Sequence, residues 1–499
     1  MKKLKLLSFL MTLVLLLSFF TSCARDASTV ETTQTDDATA TSATDESTAP
    51  VKTDTHLNGV LIKEYTIIYA KDNSNYNKRA AEFIRDQVKA YAGYELTVKS
   101  DNDAPVEHEI VVGDTSREIS KSLDADTNGF EFAICADGTT IAMEADYYVI
   151  AAAAYFFVET YVMEETGDAK IPEQVNVHQP IVKEAKNYIL LIGDGMGPNQ
   201  TRLFEKYDVA TSGDKAYSDG EDLFYGYMFP NQGYAITDSL SGTTDSAAGG
   251  TALATGYKTL NSRIGRDKDG NDLQSLTELA GSKGMATAVL STDSQTGATP
   301  ASFSAHANTR KDSAGITATQ KTLQSKYNTL IKCGDVAYTT SGITSLEYRI
   351  TTTLDSLSKN ENGFFLMYEE AHIDKHCHNS NMDSTFNAVV RFNQAIARFM
   401  EYAFYNPNTA VIITADHETG GLKIDKTTGE FSYTSEPNSP EQGAQLNHTS
   451  ANVPVFAYGI GTEIFHKETV QNYMIPKFIA KCMGVDNFGG PDEIWDYYG

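Results

Sequence analysis

Aspartate and histidine residues recur just beyond apolar runs in the second half of this chain. The members of this set are Asp194, Asp374 with His378, Asp416 with His417, and His448. Asp and His side chains together bind borderline cations such as zinc. The i, i+4 spacing of Asp374 and His378 allows both to face one point from a single helical turn. One such pair alone would most simply be surface polar residues, but four clusters together predict a metal centre.

The apolar runs beside these clusters predict buried strands, of which the first is typical of a parallel strand. They are Asn187–Ile192, Gly363–Tyr368, Thr409–Ala415 and, after His448, Val453–Tyr458. In open α/β sheets, ligands gather at the carboxyl ends of the strands. We therefore expect the Asp and His side chains to meet at one edge of a sheet.

A serine stands at the start of a segment of small residues. Ser246, preceded by Asp245, leads into Ala247–Ala254, which can wind as a helix. The N-terminus of a helix favours a phosphate or a developing alkoxide. From this segment alone, a capped helix that packs closely on a neighbour is an equal alternative.

An arginine follows Thr299 in a second polar segment. Arg310, taken alone, would be a solvated helix residue. Beside a serine and two metal ions, however, its guanidinium would hold two phosphoryl oxygens in a bidentate manner. Arg310 is therefore a candidate phosphate ligand.

These segments resemble the alkaline phosphatase family in type and in order. The resemblance covers the chain from about Lys186 to Met483, and its motifs are ILLIGDGMG, TDSAAGGTALATG, ATPASFSAHANTR, GFFLMYEEAHIDKHCH, TADH and NHT. It implies a mixed, mostly parallel sheet between helical layers, which agrees with the predicted alternation of strands and helices. We expect an α/β fold, namely a three-layer α/β/α sandwich of the alkaline phosphatase type with a smaller N-terminal α+β domain.

The resemblance also implies a role for each matching residue. Ser246 is implied as the nucleophile that becomes phosphorylated, Arg310 as the phosphate clamp, and Lys375 as a neighbour of the phosphate through water. Two zinc ions and one magnesium ion are implied as cofactors. The implied ligands are Asp374, His378 and His448 for the first zinc; Asp194, Asp416, His417 and the Ser246 alkoxide for the second; and Asp194, Thr299 and Glu369 for the magnesium.

One position departs from the family pattern. Gly297 stands two residues before Thr299, where relatives commonly carry an Asp or His that supports the hydrated magnesium ion. The nearby candidates to replace that support are Glu370, His372 and His376.

The predicted function is an exported, metal-dependent phosphatase that hydrolyses phosphate monoesters through a phosphoserine on Ser246. Two metal ions would neutralise the attacking and leaving oxygens of an in-line displacement. One alternative is a phosphodiesterase of the same superfamily, and another is a non-catalytic lipoprotein that binds metal or glycans. Ser246 together with Arg310 favours monoesters, and the intact nucleophile favours an enzyme.

The pattern of the first 56 residues predicts a targeting segment followed by a linker. Residues 1–23 begin with lysines, continue through an apolar run and end at Cys23, a pattern typical of a lipoprotein-type signal peptide. Plain secretion, with Cys23 removed or free, is the alternative. Residues 24–56 are rich in Ser, Thr and acidic residues and predict a disordered linker. A lipid anchor on Cys23 would leave the protein in the cell envelope, facing the periplasm or the outside.

Residues 57–180 predict an α+β accessory domain, and residues 181–499 predict the catalytic domain. The predicted elements of the accessory domain are strands Val60–Tyr69, Glu95–Val98 and Glu109–Val112, the helix Tyr76–Ala92, a hairpin over 129–143 and the helix Tyr147–Val162. This pattern weakly resembles accessory domains that precede some glycoside hydrolase catalytic domains. A glycan contact and a purely structural role both stand as hypotheses.

Charge and cysteine content limit the partners. The formal net charge of −26 excludes a nucleic-acid backbone as partner, since no basic block could neutralise phosphates. Cys135, Cys333, Cys377 and Cys482 are spaced too irregularly for a disulfide framework or a zinc ribbon. Cys377 lies between two histidines, so a metal role is conceivable for it.

Family members are often dimers, which suggests a homodimer; alternatively, the segment 486–499 packs on its own domain.

Overall fold

The computed structural model describes most of the chain beyond the predicted linker. The described residues are 54–71, 75–123, 130–163, 167–177, 184–205, 223–334, 345–436 and 445–490. The predicted signal peptide with Cys23, most of the predicted linker and the end of the C-terminal segment lie outside them. Within the described residues, no helix combines the length and the apolar character needed to span a bilayer.

The α-helices of the described residues are numbered in chain order. They are α1 (Tyr76–Ala92), α2 (Glu118–Lys121), α3 (Ile150–Phe157), α4 (Ser246–Thr255), α5 (Leu276–Ser282), α6 (Ala298–Ser302), α7 (Ser313–Tyr327), α8 (Ser345–Leu357), α9 (His372–His378), α10 (Met382–Tyr405) and α11 (Met474–Cys482). The N-terminal strands are β1 (His56–Leu57), β2 (Val60–Leu61), β3 (Thr66–Tyr69), β4 (Thr97–Ser100), β5 (Glu109–Val112), β6 (Phe132–Asp137), β7 (Thr140–Glu144), β8 (Asp168–Ala169) and β9 (Val175–Val177).

The remaining strands belong to the second part of the chain. They are β10 (Asn187–Gly193), β11 (Asn231–Ile236), β12 (Ala286–Ser291), β13 (Leu330–Cys333), β14 (Phe364–Glu370), β15 (Thr409–Thr414), β16 (Glu418–Thr419), β17 (Lys423–Ile424), β18 (Phe431–Ser432), β19 (His448–Thr449), β20 (Val453–Tyr458) and β21 (Thr469–Gln471).

The N-terminal part forms a six-stranded sheet in the order β4-β3-β5-β7-β6-β9. The helix predicted at Tyr76–Ala92 and the strand at Glu109–Val112 are confirmed with the same bounds. The single strand predicted at Val60–Tyr69 is wrong, because a 3₁₀ turn at Ile62–Glu64 divides it into β2 and β3. The backbone N–H of Ile62 donates to the carbonyl of Thr55 next to the pairing of β2 with β1, and β2 lies in a different sheet from β3.

Two other N-terminal predictions are shifted. The strand predicted at Glu95–Val98 is displaced to Thr97–Ser100. The helix predicted at Tyr147–Val162 begins as a 3₁₀ turn and ends as a π turn over Val158–Val162. The segment as a whole is helical, as predicted.

The second part is built on an eight-stranded sheet in the order β13-β12-β14-β10-β15-β20-β11-β21. Strands β13, β12, β14, β10 and β15 are parallel, and β20 runs antiparallel to β15 and to β11. Each predicted strand of this sheet is confirmed to within two residues. The long apolar runs reflect burial on both faces of the sheet.

Helices cover both faces of this sheet. Successive side chains of β14 point to opposite faces: Tyr368 packs against Phe392 and Phe399 of α10, whereas Phe365 packs against Phe303 beyond α6. Helices α8 and α10 form one layer, and α4, α5, α6 and α11 form the other. The predicted three-layer α/β/α sandwich is therefore observed.

The long helix α10 is shared by the two parts of the molecule. Phe404 of α10 contacts Phe130 and Tyr148 of the N-terminal part, with ring centroids 5.2 and 5.7 Å apart. Arg79 of α1 forms an ion pair of 2.7 Å with Glu401 of the same helix. The N-terminal part and the second part thus share one continuous apolar core, while the domain boundaries at 57 and 181 stay a prediction.

We expect Phe404→Ala to lower the free energy of unfolding by about 3–5 kcal/mol, because it leaves a cavity in this shared core. The control is Tyr348→Ala on α8, where the tyrosine is 64% exposed and the expected change is below about 0.5 kcal/mol. Urea unfolding followed by near-UV circular dichroism measures both. Equal effects of the two substitutions would contradict a shared core.

Candidate functional site

Three neighbouring strands bring carboxylates to one edge of the central sheet. In the register of the sheet, Ile192 of β10 lies opposite both Glu369 of β14 and Thr414 of β15. Asp194 follows β10, Glu369 lies at the end of β14, and Asp416 follows β15. The carboxyl ends of the strands are therefore level, and the side chains that follow them meet at one place, as predicted.

One group of candidate metal ligands consists of Asp374, His378 and His448. Asp374 and His378 lie one turn apart on α9, and His448 is delivered by β19. The Nε2 atoms of His378 and His448 lie 3.2 and 3.5 Å from Asp374 Oδ1 and 3.1 Å from each other. The helical spacing of Asp374 and His378, together with His448 from β19, thus places three donor atoms around one point.

Backbone carbonyls set the tautomers of these two histidines. The Nδ1 atom of His378 faces the carbonyl of Leu446, and the Nδ1 atom of His448 faces the carbonyl of Thr244 at 2.8 Å. A carbonyl oxygen only accepts, so in the neutral rings each Nδ1 carries the proton and each Nε2 presents a lone pair. Two lone pairs and a carboxylate around one point fit a bound cation.

The second group consists of Asp194, Asp416 and His417. The Nε2 atom of His417 lies 3.4 Å from Asp194 Oδ1 and 3.3 Å from Asp416 Oδ2. Both carboxylate oxygens are buried and accept no hydrogen bond from the described residues. A buried carboxylate oxygen without a donor is costly, and a cation would remove that cost.

The electrostatics of the cluster point the same way. Burial, reinforced by the charge of Asp374, raises the pKa of Asp416 to about 8. Burial also raises the pKa of Glu369 to about 7, although a hydrogen bond from the hydroxyl of Ser291 opposes the shift. Burial lowers the pKa of His417 well below its usual range, so that ring stays neutral. The neutral imidazole of His417 beside the buried carboxyl groups of Asp194 and Asp416 is suited to a divalent cation.

Ser246 lies between these groups as the first residue of α4. Its Oγ atom is 3.1 Å from His417 Nε2. Asp245 caps the helix by accepting the N–H of Ala248 at 3.0 Å. A Cβ atom on Gly249 would lie 2.7 Å from the backbone oxygen of Asp416, so the small residues bring the helix close to the metal ligands. The capped, closely packed helix is therefore observed, and the functional role of Ser246 stays a prediction.

The remaining predicted residues surround the same edge. Arg310 Nη1 lies 3.3 Å from Asp245 Oδ2, and its side chain is partly exposed. Thr299 is buried on α6, and its hydroxyl has no hydrogen-bond partner among the described residues. Lys375 Nζ lies 2.8 Å from Asp293 Oδ1. The structure thus brings every predicted site residue to one end of the sheet.

The three residues proposed to compensate for Gly297 do not do so. Glu370 follows Glu369 on β14 and therefore points to the opposite face of the sheet. There it is held by Arg391 of α10 at 2.8 Å, which lowers the pKa of Glu370 to about 2 despite burial. His372 lies against Glu370, and the ring of His376 lies 5.8 Å from that of His372.

Two residues of the site were not predicted from the sequence. The hydroxyl of Thr419 donates to Asp374 Oδ1 and lies 3.2 Å from His417 Nδ1, so it links the two metal-ligand groups. Asp293 pairs with Lys375. The only sequence signal for these two residues is their closeness to other site positions along the chain: Thr419 follows His417 by two residues, and Asp293 precedes Gly297 by four.

Cys377 is not a metal ligand in this arrangement. Its thiol is buried beside the hydroxyls of Thr385 and Tyr433, at 3.7 Å from each. Burial raises the pKa of the thiol to about 12, which keeps it protonated. Among the described residues, it belongs to neither group of candidate ligands.

Comparison with known proteins identifies the family. A family model described as alkaline phosphatase matches residues 185–337 and 330–446, which together make up more than half of the chain. The chain belongs to the alkaline phosphatase family. The matched ranges contain every candidate site residue except His448.

Relatives within the alkaline phosphatase family are distant. Alkaline phosphatase 3 of Bacillus subtilis is 30% identical over 305 residues, which cover 51% of this chain and 65% of that protein, just under two thirds of its length. The alkaline phosphatase of Escherichia coli is 25% identical over 390 residues, covering 56% of this chain and 82% of that protein. The structure of alkaline phosphatase from the Antarctic bacterium TAB5 covers 61% of this chain and 99% of its own, at 28% identity and a TM-score of 0.49.

We expect Asp416→Asn to have opposite effects with and without metal. In chelated protein it raises the melting temperature, because it removes one of several mutually repelling buried carboxylates. With zinc and magnesium supplied, the wild type gains about 4 kcal/mol at a thousandfold excess over the dissociation constant, and the variant loses most of that gain.

Differential scanning calorimetry in chelator and in metal measures both effects. Asp269→Asn is the control, since Asp269 is exposed and lies outside both groups of candidate ligands. A wild-type melting temperature that is the same with and without metal would contradict the assignment of a metal centre.

Proposed function

We propose that this chain is an exported, metal-dependent phosphatase that hydrolyses phosphate monoesters through a phosphoserine on Ser246. The observation that carries the proposal is the position of Ser246 at the start of α4, with its Oγ atom 3.1 Å from His417 Nε2. The His417 ring in turn stacks on that of His448 at 3.6 Å. The nucleophile and both groups of candidate ligands are therefore in contact with one another.

The donor sets fit particular cations. Imidazoles with carboxylates suit zinc, so Asp374, His378 and His448 would hold one zinc ion, and Asp194, Asp416, His417 and the Ser246 alkoxide a second. Oxygen donors suit magnesium, which Asp194, Thr299 and Glu369 would hold. When bound, these ions lower the pKa of the serine and neutralise the attacking and leaving oxygens of the displacement.

The residues of the chain then perform two displacements. The Ser246 oxygen attacks phosphorus, the bond from phosphorus to the substrate oxygen breaks, and the alcohol leaves with a proton. Water next attacks the phosphoserine, and the serine oxygen is released. The N-terminal N–H groups of α4 favour the phosphoryl charge. Two inversions give net retention at phosphorus.

Arg310 supports a phosphate ester as the substrate. Its guanidinium is anchored by Asp245, the residue before the nucleophile, and a fork of N–H donors matches two non-bridging phosphoryl oxygens. The pairing of Ser246 with Arg310 favours monoesters over diesters.

Export and a lipid anchor on Cys23 complete the proposal and are supported by the pattern of residues 1–23. The homodimer and the glycan contact stay predictions.

Ser246→Ala tests the nucleophile. We expect it to lower kcat for p-nitrophenyl phosphate by at least about a thousandfold while metal content stays unchanged. Acid quenching of the wild type during turnover should trap phosphate on the peptide that contains Ser246, detected by mass spectrometry.

The matched control is Ser325→Ala on the exposed side of α7, which should keep full activity. Faster hydrolysis of bis(p-nitrophenyl) phosphate than of the monoester would favour the phosphodiesterase alternative. No turnover of either ester by the metal-loaded wild type would reject an esterase and favour a binding protein.

Arg310→Ala tests the phosphate clamp. Loss of a charged hydrogen-bonding group costs about 1.5–3 kcal/mol, so kcat/KM should fall about 10- to 100-fold and inhibition by inorganic phosphate should weaken. Arg310→Lys should recover only part of the loss, because lysine lacks the planar fork. Lys311→Ala, a neighbouring exposed cation, serves as the control, and an equal effect in that variant would mean that only overall charge matters.

A further inference from the structure

The space beside Gly297 is filled by a carboxylate from another position. A Cβ atom built on Gly297 would lie 2.4 Å from Asp293 Oδ2 and 2.7 Å from its Cγ. The backbone of Gly297, with φ −56° and ψ 154°, is one that other residues adopt without strain. The Asp293 carboxylate, together with the backbone oxygen of Ser294 at 3.0 Å, therefore occupies the space that a side chain at position 297 would enter.

Asp293 is held in a defined orientation. Its Oδ1 atom accepts from Lys375 Nζ at 2.8 Å and from the N–H of Ser294 at 2.7 Å. Its own N–H donates to the hydroxyl of Ser291 at 2.7 Å, and that hydroxyl donates to Glu369. Asp293 thus connects Lys375 to a candidate magnesium ligand.

The second carboxylate oxygen of Asp293 is available. Oδ2 accepts no hydrogen bond from the described residues, and the side chain is 27% exposed. The hydroxyl of Ser291 lies between the backbone N–H of Asp293 and the carboxylate of Glu369, so the two residues share a hydrogen-bonded neighbour. Water bound to a cation held by Glu369 would find an acceptor in Asp293.

We propose that Asp293 is a positioning residue of this site, which replaces the side chain missing at Gly297 by orienting Lys375 and supporting the magnesium site. The proposal rests on the proposed function and names a further residue for it. A half-exposed ion pair contributes at most about 1 kcal/mol to stability, so stability alone gives little reason for this pair. Its position between the loop after β12 and helix α9 ties it to the metal ligands.

The close approach of positions 293 and 297 allows a reciprocal test. Asp293→Ser removes the carboxylate, Gly297→Asp adds one where Asp293 already fills the space, and the double variant moves the carboxylate from one position to the other. We expect each single variant to weaken magnesium binding about 10-fold or more, as is common for residues that support metal ligands. The double variant should recover most of the loss.

Magnesium affinity of zinc-loaded protein, measured by equilibrium dialysis with metal analysis, is the primary readout and needs no catalysis. Inhibition by inorganic phosphate and the separate changes in kcat and KM report on Lys375. Zinc content and melting temperature of Asp293→Ser should stay at wild-type values. Ser294→Ala is the control in the same loop, because its contact with Asp293 is made by the backbone N–H.

The outcomes separate the two proposals. Unchanged magnesium affinity in Asp293→Ser, or a double variant no better than the singles, would overturn the role of Asp293. Loss of zinc in Asp293→Ser would likewise overturn it in favour of a structural role. If the wild type hydrolyses no phosphate ester but the reciprocal pattern in magnesium affinity holds, the proposed function fails and the role of Asp293 in the metal site stands.

Discussion

Several acidic side chains are buried together at one edge of the central sheet, and the arrangement of the elements around them depends on this cluster. Asp194, Glu369, Asp374 and Asp416 are all at least nine-tenths buried and lie near one another. Carboxylates in such surroundings repel one another and lose hydration. The surrounding elements are arranged as a host for cations: His378 and His448 turn their Nε2 atoms toward Asp374, and a helix of small residues brings its positive end to the cluster.

The sequence predicted the centre of this site because its position follows from strand direction. Parallel strands buried on both faces leave long apolar runs, and the residue after each run must lie at the same edge of the sheet. Asp194 and Asp416 were identifiable for this reason. The roles of Thr299, Glu369 and Lys375 depended instead on the resemblance to a family, because single polar residues carry no such pattern.

The parts that were missed depend on contacts between distant segments or on face alternation. Asp293 acquires its neighbours only when the loop after β12 meets α9, a contact that no local spacing reveals. The division of the strand at Ile62 accompanies the pairing of β2 with β1, which places β2 in a different sheet from β3. By contrast, the sequence was sufficient to place Glu370 on the face opposite Glu369, since consecutive residues of a strand point to opposite faces.

The shared helix α10 has a consequence for the order in which the chain can fold. Tyr148 and its aromatic neighbours in the N-terminal part find their partner at Phe404, 256 residues further along the chain. Until that helix is synthesised, the apolar surface of α3 and of the turn before it stays open to solvent, and such surfaces promote aggregation. Covering of this surface and assembly of the site are therefore late events, because α10 packs on both parts of the molecule.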